Sequence, residues 1–100
     1  MLWELKAYLL SEYADFDLED IFDDTKHQYG FTRAVKYLND LDAVFGSLVI
    51  NPEIGRKRSE LKDGLYSITE QEHIVFYRVQ EDYIRIMRVL HGSKDMPKHF

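Results

Sequence analysis

Two short apolar runs near the C-terminal end constrain the fold more than any other part of the sequence. They span residues 73–79 and 83–91, are rich in Ile, Val, Phe, Tyr and Met, and are separated only by Gln80, Glu81 and Asp82. Such runs with a short polar connection are typical of an antiparallel β-hairpin. Both odd and even positions are apolar, so both faces of the hairpin are expected to be at least partly covered. We therefore predict that the hairpin lies at the centre of a sheet.

Strict alternation assigns the side chains of this hairpin to two faces. In the first run, one face receives Ile74 and Phe76 and the other receives Val75, Tyr77 and Val79. In the second run, one face receives Ile84, Ile86, Arg88 and Leu90, and the other receives Arg85, Met87, Val89 and His91. Because Arg88 and His91 then lie on opposite faces, a compact catalytic cluster is not expected. We expect structural roles for most basic residues of the hairpin, with His91 hydrogen-bonded to the C-terminal tail.

Length and composition predict one globular domain over residues 1–100. Hydrophobic residues make up 45% of the chain, which is typical of a folded protein. The chain has no cysteine, so thiol chemistry is excluded and a reducing compartment such as the cytoplasm is expected. The first ten residues lack a basic region and a cleavage site, and no apolar run is long enough to cross a bilayer. Neither a targeting signal nor a membrane association is predicted.

The charged residues are distributed unevenly. Seven acids and no base occur between Glu12 and Asp24. Four bases crowd one later segment: Arg56, Lys57, Arg58 and Lys62. The formal net charge of −5 disfavours a protein whose main task is to bind nucleic acid, because phosphate binding needs an excess of Lys and Arg. We expect no direct nucleic-acid binding by the chain alone, while the basic segment is either a partner-binding patch or an exposed solubilising loop.

The middle of the chain predicts two antiparallel helices joined by a very short connection. Ser11 is a suitable N-cap for the first helix, and Gly30 marks its end. Its apolar side would carry Ala14, Leu18, Ile21, Phe22, Thr25 and Tyr29, with Asp17 and the other acids around the exposed side. Thr32 is the candidate N-cap of the second helix, whose apolar stripe is Ala34, Leu38, Leu41, Phe45 and Leu48. Gly46 weakens this helix, and a close contact would explain its presence.

The remaining segments complete the predicted order strand, helix, helix, strand, strand, strand. A first strand is expected at residues 5–10, with Trp3 packed at its beginning. A polar loop at residues 51–64 carries the basic segment, and Leu61 anchors that loop in the core. A strand at residues 65–69 then pairs with the central hairpin. The tail after Gly92 is polar, and Met96 and Phe100 would tether it.

Four segments resemble the ParE branch of the RelE/ParE toxins of bacterial toxin–antitoxin modules. They read LLSEYADFDLEDI, NPEIGRKRSELKDGLYS, HIVFYR and RVLHGSKD, and they are spread along nearly the whole chain, from residue 9 to residue 95. The resemblance implies an α+β, RelE/ParE-like fold with a two-helix hairpin packed on a small antiparallel sheet, in the order β-α-α-β-β-β with a short C-terminal tail. It also implies a ParD-like antitoxin that wraps and neutralises the toxin, and DNA gyrase as the usual target.

RelE-like relatives instead cut mRNA on the ribosome, which requires cations at the phosphate and groups that transfer protons. The resemblance implies that those enzymes use basic residues of the sheet and a tyrosine near the C-terminus. Here the last tyrosine is Tyr83 and the net charge is acidic, so a non-enzymatic toxin without catalytic residues is favoured. A RelE-like ribonuclease remains the alternative, with candidate residues Arg56, Arg58, Arg78, Arg88 and His91. A family member that only binds its antitoxin is a third possibility.

Residues expected to contact partner proteins are basic and lie in the loop and the tail. They are Arg56, Lys57, Arg58, Lys62, His91, Lys94 and Lys98. No cofactor site is predicted, because the segment after Gly55 lacks the strand-to-helix setting and the glycine spacing of a phosphate-binding loop. No metal site is predicted either. His91, Asp95 and His99 are four residues apart, but Pro97 disfavours a regular helix between them and no fourth ligand is evident.

Overall fold

The computed structural model describes residues 7–100, which fold into two helices and one five-stranded sheet. The elements are β1 (Tyr8–Leu10), α1 (Glu12–Tyr29), α2 (Phe31–Ile50), β2 (Arg56–Lys57), β3 (Tyr66–Glu70), β4 (His73–Val79), β5 (Ile84–His91) and a 3₁₀ helix (Met96–His99). The strand order in the sheet is β1-β5-β4-β3-β2, so β4 is central and the predicted position of the hairpin is confirmed. The predicted packing of Trp3 and the start of the predicted first strand lie outside the described residues. Within residues 7–100, no helix is long and apolar enough to cross a membrane.

The α+β fold with a two-helix hairpin on a sheet is confirmed, but the sheet is mixed rather than wholly antiparallel. β1 runs parallel to β5, with Tyr8 opposite Ile84 and Leu10 opposite Ile86. The sheet also has one strand more than predicted, because Arg56 and Lys57 pair with β3 inside the segment that was expected to be a loop. Two-residue strands of exposed basic side chains have no alternating apolar pattern, so composition alone indicates a loop there.

The two helices meet at a single glycine. The Ser11 side chain accepts a 3.0 Å hydrogen bond from the backbone N–H of Ala14, so the predicted N-cap of α1 is confirmed. Gly30 has φ +95°, and it ends α1 and begins α2. The prediction of Thr32 as the second N-cap is wrong, because α2 already begins at Phe31. A left-handed glycine reverses the chain within one residue, which leaves no separate capping position.

Two further helix predictions need correction. Tyr29 is 64% exposed rather than part of the buried stripe, and the Arg33 guanidinium lies 5.3 Å above its ring. Among residues 7–100, a Cβ at position 46 would have no neighbour within 4 Å, so no close contact with the described residues accounts for Gly46. The buried face of α2 also includes Tyr37, which the stripe omitted.

Apolar side chains cover both faces of the sheet. The larger cluster lies between the sheet and the helices and includes Leu41, Phe45, Val75, Tyr77 and Ile86. The smaller cluster lies on the other face and consists of Leu65, Phe76, Leu90 and Met96, with Leu61 and Phe100 against it. The Phe100 ring packs 4.7 Å from the Phe76 ring. The predicted anchor at Leu61 and the predicted tethering of the tail are therefore confirmed.

A β-bulge at Met87 changes which side chains of β5 share a face. Phe76 lies opposite Arg88, but the next residue, Tyr77, lies opposite Ile86, so Met87 has no partner in β4. The inserted residue reverses the alternation beyond it. Ile84 and Ile86 therefore share the helix-covered face with Val89, whereas Leu90 belongs to the opposite face with Phe76. The face assignment predicted for β5 is wrong beyond the bulge, and Arg88 moves to the face opposite the helices.

Candidate functional site

A groove of about 610 Å³ lies on the sheet face that the helices do not cover. We call it the basic groove. Its basic side chains are Lys62, Arg78, Arg85, Arg88, Lys98 and His99, and it is also lined by Ser11, Glu12, Tyr13, Leu65, Met87 and Phe100. The loop before β3, the strands β4 and β5, the start of α1 and the tail each contribute. The groove thus gathers cations from segments that are far apart in the sequence.

Arg78 and Arg85 lie directly opposite each other on β4 and β5. The connection between the strands is the four-residue segment 80–83, closed by a 2.9 Å hydrogen bond from the Gln80 N–H to the Tyr83 carbonyl. The sequence predicted a three-residue connection, residues 80–82. A four-residue connection places Val79 opposite Ile84 and therefore Arg78 opposite Arg85. Arg85 was not among the candidate site residues. The length of the connection between the two strands is the sequence feature that could have identified it.

Arg88 enters the basic groove as one half of an ion pair. Its Nε and Nη2 donate hydrogen bonds of 2.8 and 2.9 Å to the Asp17 carboxylate. The Val89 N–H donates a third bond of 3.0 Å to the same carboxylate. These contacts overturn the expectation of an exposed Asp17, whose side chain is only 12% exposed. Donation of these hydrogen bonds to Asp17 raises the pKa of Arg88, so the guanidinium stays charged while its charge is compensated.

The basic segment at β2 divides into exposed and tethered side chains. Arg56 and Lys57 are exposed. The Arg58 side chain is only 13% exposed and donates bonds of 2.7 Å to Glu60 and 3.1 Å to Ser67. The hydrogen bond from Arg58 lowers the pKa of Glu60, which also lies 3.9 Å from Arg56. Of the four basic residues in this segment, Lys62 alone lines the basic groove.

His91 belongs to a second polar cluster on the opposite side of β5 from the groove. Its ring lies 5.4 Å from that of His73, its cross-strand partner. The Tyr37 hydroxyl lies 2.7 Å from Nδ1 of His73. Burial lowers the pKa of His73, and the neighbouring His91 adds to this effect. His91 Nδ1 lies 2.8 Å from the Ser93 hydroxyl, so its predicted hydrogen bond to the tail is confirmed.

The predicted partner-binding residues do not form one surface. Lys62 and Lys98 line the basic groove, whereas His91 and Lys94 line an adjacent cavity of about 380 Å³ beside Asp24. Arg88 and His99 line both. Arg56 and Lys57 project from β2, and Arg58 is tethered to Glu60. The five candidate residues of the ribonuclease alternative also lie in three places. Arg78 and Arg88 line the groove, Arg88 and His91 line the adjacent cavity, and Arg56 and Arg58 lie at or next to β2.

Two of the three residues spaced like metal ligands, His91 and His99, contact other side chains. His91 contacts Ser93, and Nδ1 of His99 lies 3.3 Å from the Arg88 guanidinium. Among residues 7–100, no three His, Cys, Asp or Glu side chains converge in a way that suits a metal ion.

The outer surface of the helical hairpin carries a shallow apolar groove of about 460 Å³. Leu18 and Phe22 from α1 and Leu38 from α2 form its floor, and exposed acids form its rim: Asp15, Glu19 and Asp23. We call it the hairpin groove. The three acids are four residues apart, so they follow one side of α1. Such a surface suits an amphipathic segment with basic residues beside its apolar face.

Comparisons with known proteins agree with this architecture. Residues 8–96 match the family model described as "ParE toxin of type II toxin-antitoxin system, parDE". Toxin ParE1 of Mycobacterium tuberculosis is 37% identical over 93 residues, which are 92% of this chain and 95% of the relative. Toxin ParE1 of Caulobacter vibrioides is 33% identical over 95 residues, which are 95% of this chain and 98% of the relative.

A solved structure shares the fold. It is described as "Chromosomal ParDE TA system from P. aeruginosa", and it superposes with a TM-score of 0.76 at 21% sequence identity, covering 88% of this chain and 96% of that chain. The family match covers most of the sequence, and both relatives exceed 30% identity over nearly their whole length. The chain therefore belongs to the ParE toxin family of type II toxin–antitoxin systems.

Proposed function

We propose that the chain is the toxin of a ParD–ParE module, that it inhibits DNA gyrase by protein–protein binding, and that a ParD-like antitoxin neutralises it. The observation that carries this proposal is the ParE family match over residues 8–96. The fold shared with a ParDE system from P. aeruginosa supports the ParD-like partner. Bacterial gyrase works in the cytoplasm, so that is the compartment in which we expect the chain to act.

The five residues predicted for the ribonuclease alternative do not share one site, which supports an action by contact rather than by catalysis. Phosphodiester cleavage needs cations and proton-transferring groups around one reacting phosphate. Arg58 is held by Glu60 and Ser67, and His91 lies with His73 outside the basic groove. Only Arg78 and Arg88 of the five candidates line that groove.

One observation favours the second candidate function, ribosome-dependent mRNA cleavage. His99 lies in the basic groove, with its Nδ1 3.3 Å from the Arg88 guanidinium. Histidine is the commonest general acid or base in enzymes. His99 was not among the residues predicted for this alternative, so the alternative would depend on Arg88 and His99 rather than on His91.

A paired assay separates the two functions. Purified protein is incubated with gyrase, ATP and supercoiled plasmid, and in parallel with ribosomes translating a labelled mRNA. We expect double-strand breaks to accumulate in the plasmid while the mRNA stays intact. Cleavage of the mRNA by the unmodified chain, but not by the His99→Ala variant, would contradict the proposal and support the ribonuclease. No effect in either assay, with antitoxin binding retained, would support a family member that only binds its antitoxin.

For gyrase we propose contacts through the exposed bases of β2. Arg56 and Lys57 project into solvent next to the edge of the sheet. Charge reversal at both positions, Arg56→Glu with Lys57→Glu, is expected to reduce plasmid cleavage at least tenfold. The control replaces two exposed acids of the β4–β5 connection by bases, Glu81→Lys with Asp82→Lys. It is expected to change cleavage less than twofold.

For the antitoxin we propose that an amphipathic helix lies in the hairpin groove. The floor is apolar and its acidic rim would favour Lys or Arg on the antitoxin. An extended antitoxin segment can also pair with β1. This strand lies at one edge of the described sheet, and its Leu9 is 53% exposed. The cognate antitoxin is expected from an adjacent gene for a ribbon-helix-helix protein.

Titration calorimetry with that antitoxin tests the hairpin groove. Glu19→Lys with Asp23→Lys is expected to weaken binding at least tenfold, because both positions lie on the rim. Glu81→Lys with Asp82→Lys changes the net charge equally at exposed positions away from the helices and should leave the affinity within twofold. Equal losses in the two variants would contradict this contact and indicate a general charge effect.

A further inference from the structure

The cross-strand pair of Arg78 and Arg85 is electrostatically unfavourable in the chain alone. Like charges directly opposite each other on neighbouring strands destabilise a sheet. Both side chains are half-buried, so water screens them less than it screens surface charges. Neither forms an ion pair with an acidic side chain within residues 7–100. A bound anion would relieve this repulsion.

The rest of the basic groove strengthens the positive charge rather than compensating it. Lys62 and Lys98 are exposed and line the same groove. Glu12 is the only acidic side chain among its lining residues in the described part of the chain. Asp17 lies nearby, but its charge is already paired with that of Arg88. Four basic side chains therefore face one unpaired acidic side chain.

This local charge differs in sign from that of the chain as a whole. The net charge of −5 was the reason to expect no direct nucleic-acid binding. A run of exposed acids on α1 contributes strongly to that sum, and Asp15, Glu19 and Asp23 lie on the rim of the hairpin groove. They do not line the basic groove. A ligand in the basic groove therefore experiences the local cations first, because the more distant acids are screened by salt.

An aromatic side chain lies at the wall of the same groove. Tyr13 is 68% exposed, and the Arg88 guanidinium lies 5.6 Å above its ring. Because Asp17 holds Arg88 in place, the ring has a fixed support on one face. Exposed rings beside arginines are the stacking surfaces on which proteins hold unpaired bases. A peptide carboxylate would use the arginines but not the ring.

We propose that the basic groove binds a single strand of nucleic acid, with Arg78 and Arg85 on its phosphates and a base stacked on Tyr13. Two guanidinium groups on adjacent strands can each donate two parallel hydrogen bonds to a phosphate. No bond is made or broken in the strand. This binding goes beyond the proposed function, because it requires neither gyrase nor the antitoxin.

Fluorescence anisotropy with fluorescein-labelled dT12 in 50 mM NaCl tests the proposal. We expect Arg78→Gln with Arg85→Gln to weaken binding at least tenfold. The matched control is Arg56→Gln with Lys57→Gln, which removes the same charge from β2 outside the groove and should change the affinity less than twofold. Each lost phosphate contact should also reduce the steepness of log K against log[salt] by about 0.7. Circular dichroism and antitoxin titration confirm that both variants are folded.

Two further measurements identify the ligand class. Tyr13→Ala is expected to weaken the binding of dT12 at least threefold. It should leave the affinity for an abasic oligonucleotide of equal length unchanged. Octaglutamate, at equal charge concentration, should not displace dT12. Displacement by octaglutamate would overturn the proposal in favour of an acidic peptide site. Equal losses in the groove and control variants, or no dT12 binding by the unmodified chain, would overturn it outright.

These results are separable from those on gyrase. Loss of dT12 binding in the groove variant, with plasmid cleavage by gyrase unchanged, would support the groove and leave the proposed function standing. The control variant at β2 tests the gyrase contact without entering the groove, so failure of either proposal has its own signature.

Discussion

Arg88 and Asp17 form two parallel hydrogen bonds, 2.8 and 2.9 Å long, that join β5 to α1 across 71 residues of sequence. Their side chains are 19% and 12% exposed, so the pair is largely withdrawn from water. The Val89 N–H bonds to the same carboxylate. This arrangement holds the first helix against the sheet and supports one wall of the basic groove.

Asp17→Asn is expected to lower the free energy of unfolding by about 1.5–3 kcal/mol, because hydrogen bonds to a charged group are lost and Arg88 is left without its counter-charge. Urea denaturation measures this change. Asp20→Asn is the control, since Asp20 is exposed, and it should stay within about 0.5 kcal/mol. Adding Arg88→Met to Asp17→Asn should recover part of the loss. A similar effect of both single substitutions would contradict the importance of the pair.

Substitution of Gly46 and of Gly55 by alanine should change the stability of the chain in opposite directions. Gly46→Ala is expected to stabilise the chain by about 0.5–1 kcal/mol, because a Cβ at this helical position meets no atom of residues 7–100 within 4 Å. Gly55→Ala is expected to destabilise it by about 1–3 kcal/mol, since the new methyl would contact the Tyr77 hydroxyl and lie 2.7 Å from the Ser67 carbonyl oxygen. Thermal and urea unfolding of both variants check the signs. A stable Gly55→Ala would mean that the 51–55 segment adjusts freely.

The Tyr77 hydroxyl anchors the segment after α2 to the core. It donates a 2.8 Å hydrogen bond to the Pro52 carbonyl and accepts a 3.0 Å bond from the Gly55 N–H. Tyr77→Phe is expected to cost about 1–3 kcal/mol in urea denaturation, because two half-buried backbone groups lose their partner. Tyr66, whose ring stacks 5.4 Å away, offers the control Tyr66→Phe, which should cost less than about 0.5 kcal/mol. Equal costs would argue that packing alone holds this segment.

His73 should make stability fall as the pH decreases. Burial and the nearby His91 lower the pKa of His73 in the folded chain below its ordinary value of 6.5, while Glu72, Asp24 and Asp17 oppose this shift. The unfolded chain then binds the proton more readily. The contribution of His73 to stability is fully present above the pKa that His73 has in the unfolded chain. It is lost as the pH falls through the lower pKa that His73 has in the folded chain.

Urea midpoints of the unmodified chain and of His73→Gln between pH 5 and pH 8 measure this effect. The difference between the two midpoints is expected to favour the unmodified chain more at pH 8 than at pH 5. Tyr37 contacts the His73 ring and has its own pKa raised to about 12 by burial, so it does not titrate in this range. A pH-independent difference would mean that the His73 pKa is not shifted by folding.

Much of the fold could be predicted from local patterns. The cap at Ser11, the stop at Gly30 and the end of α2 before Pro52 depend on residues within one helical turn. The central hairpin was predicted from its β-branched and aromatic residues. The resemblance of short segments to ParE toxins was specific because it combined several blocks, and the family match over residues 8–96 confirms it.

The sequence by itself determined the helices and the hairpin, because these depend on contacts between residues that are close along the chain. It also determined the family, because several short blocks match along the chain. Only the tertiary structure decided the position of β1 beside β5, the bulge at Met87 and the pairing of Arg88 with Asp17. The physical reason is that alternation predicts a face only while two strands keep their register, and one unpaired residue reverses it. The basic groove exists because that reversal places Arg88 on the same face as Arg78 and Arg85.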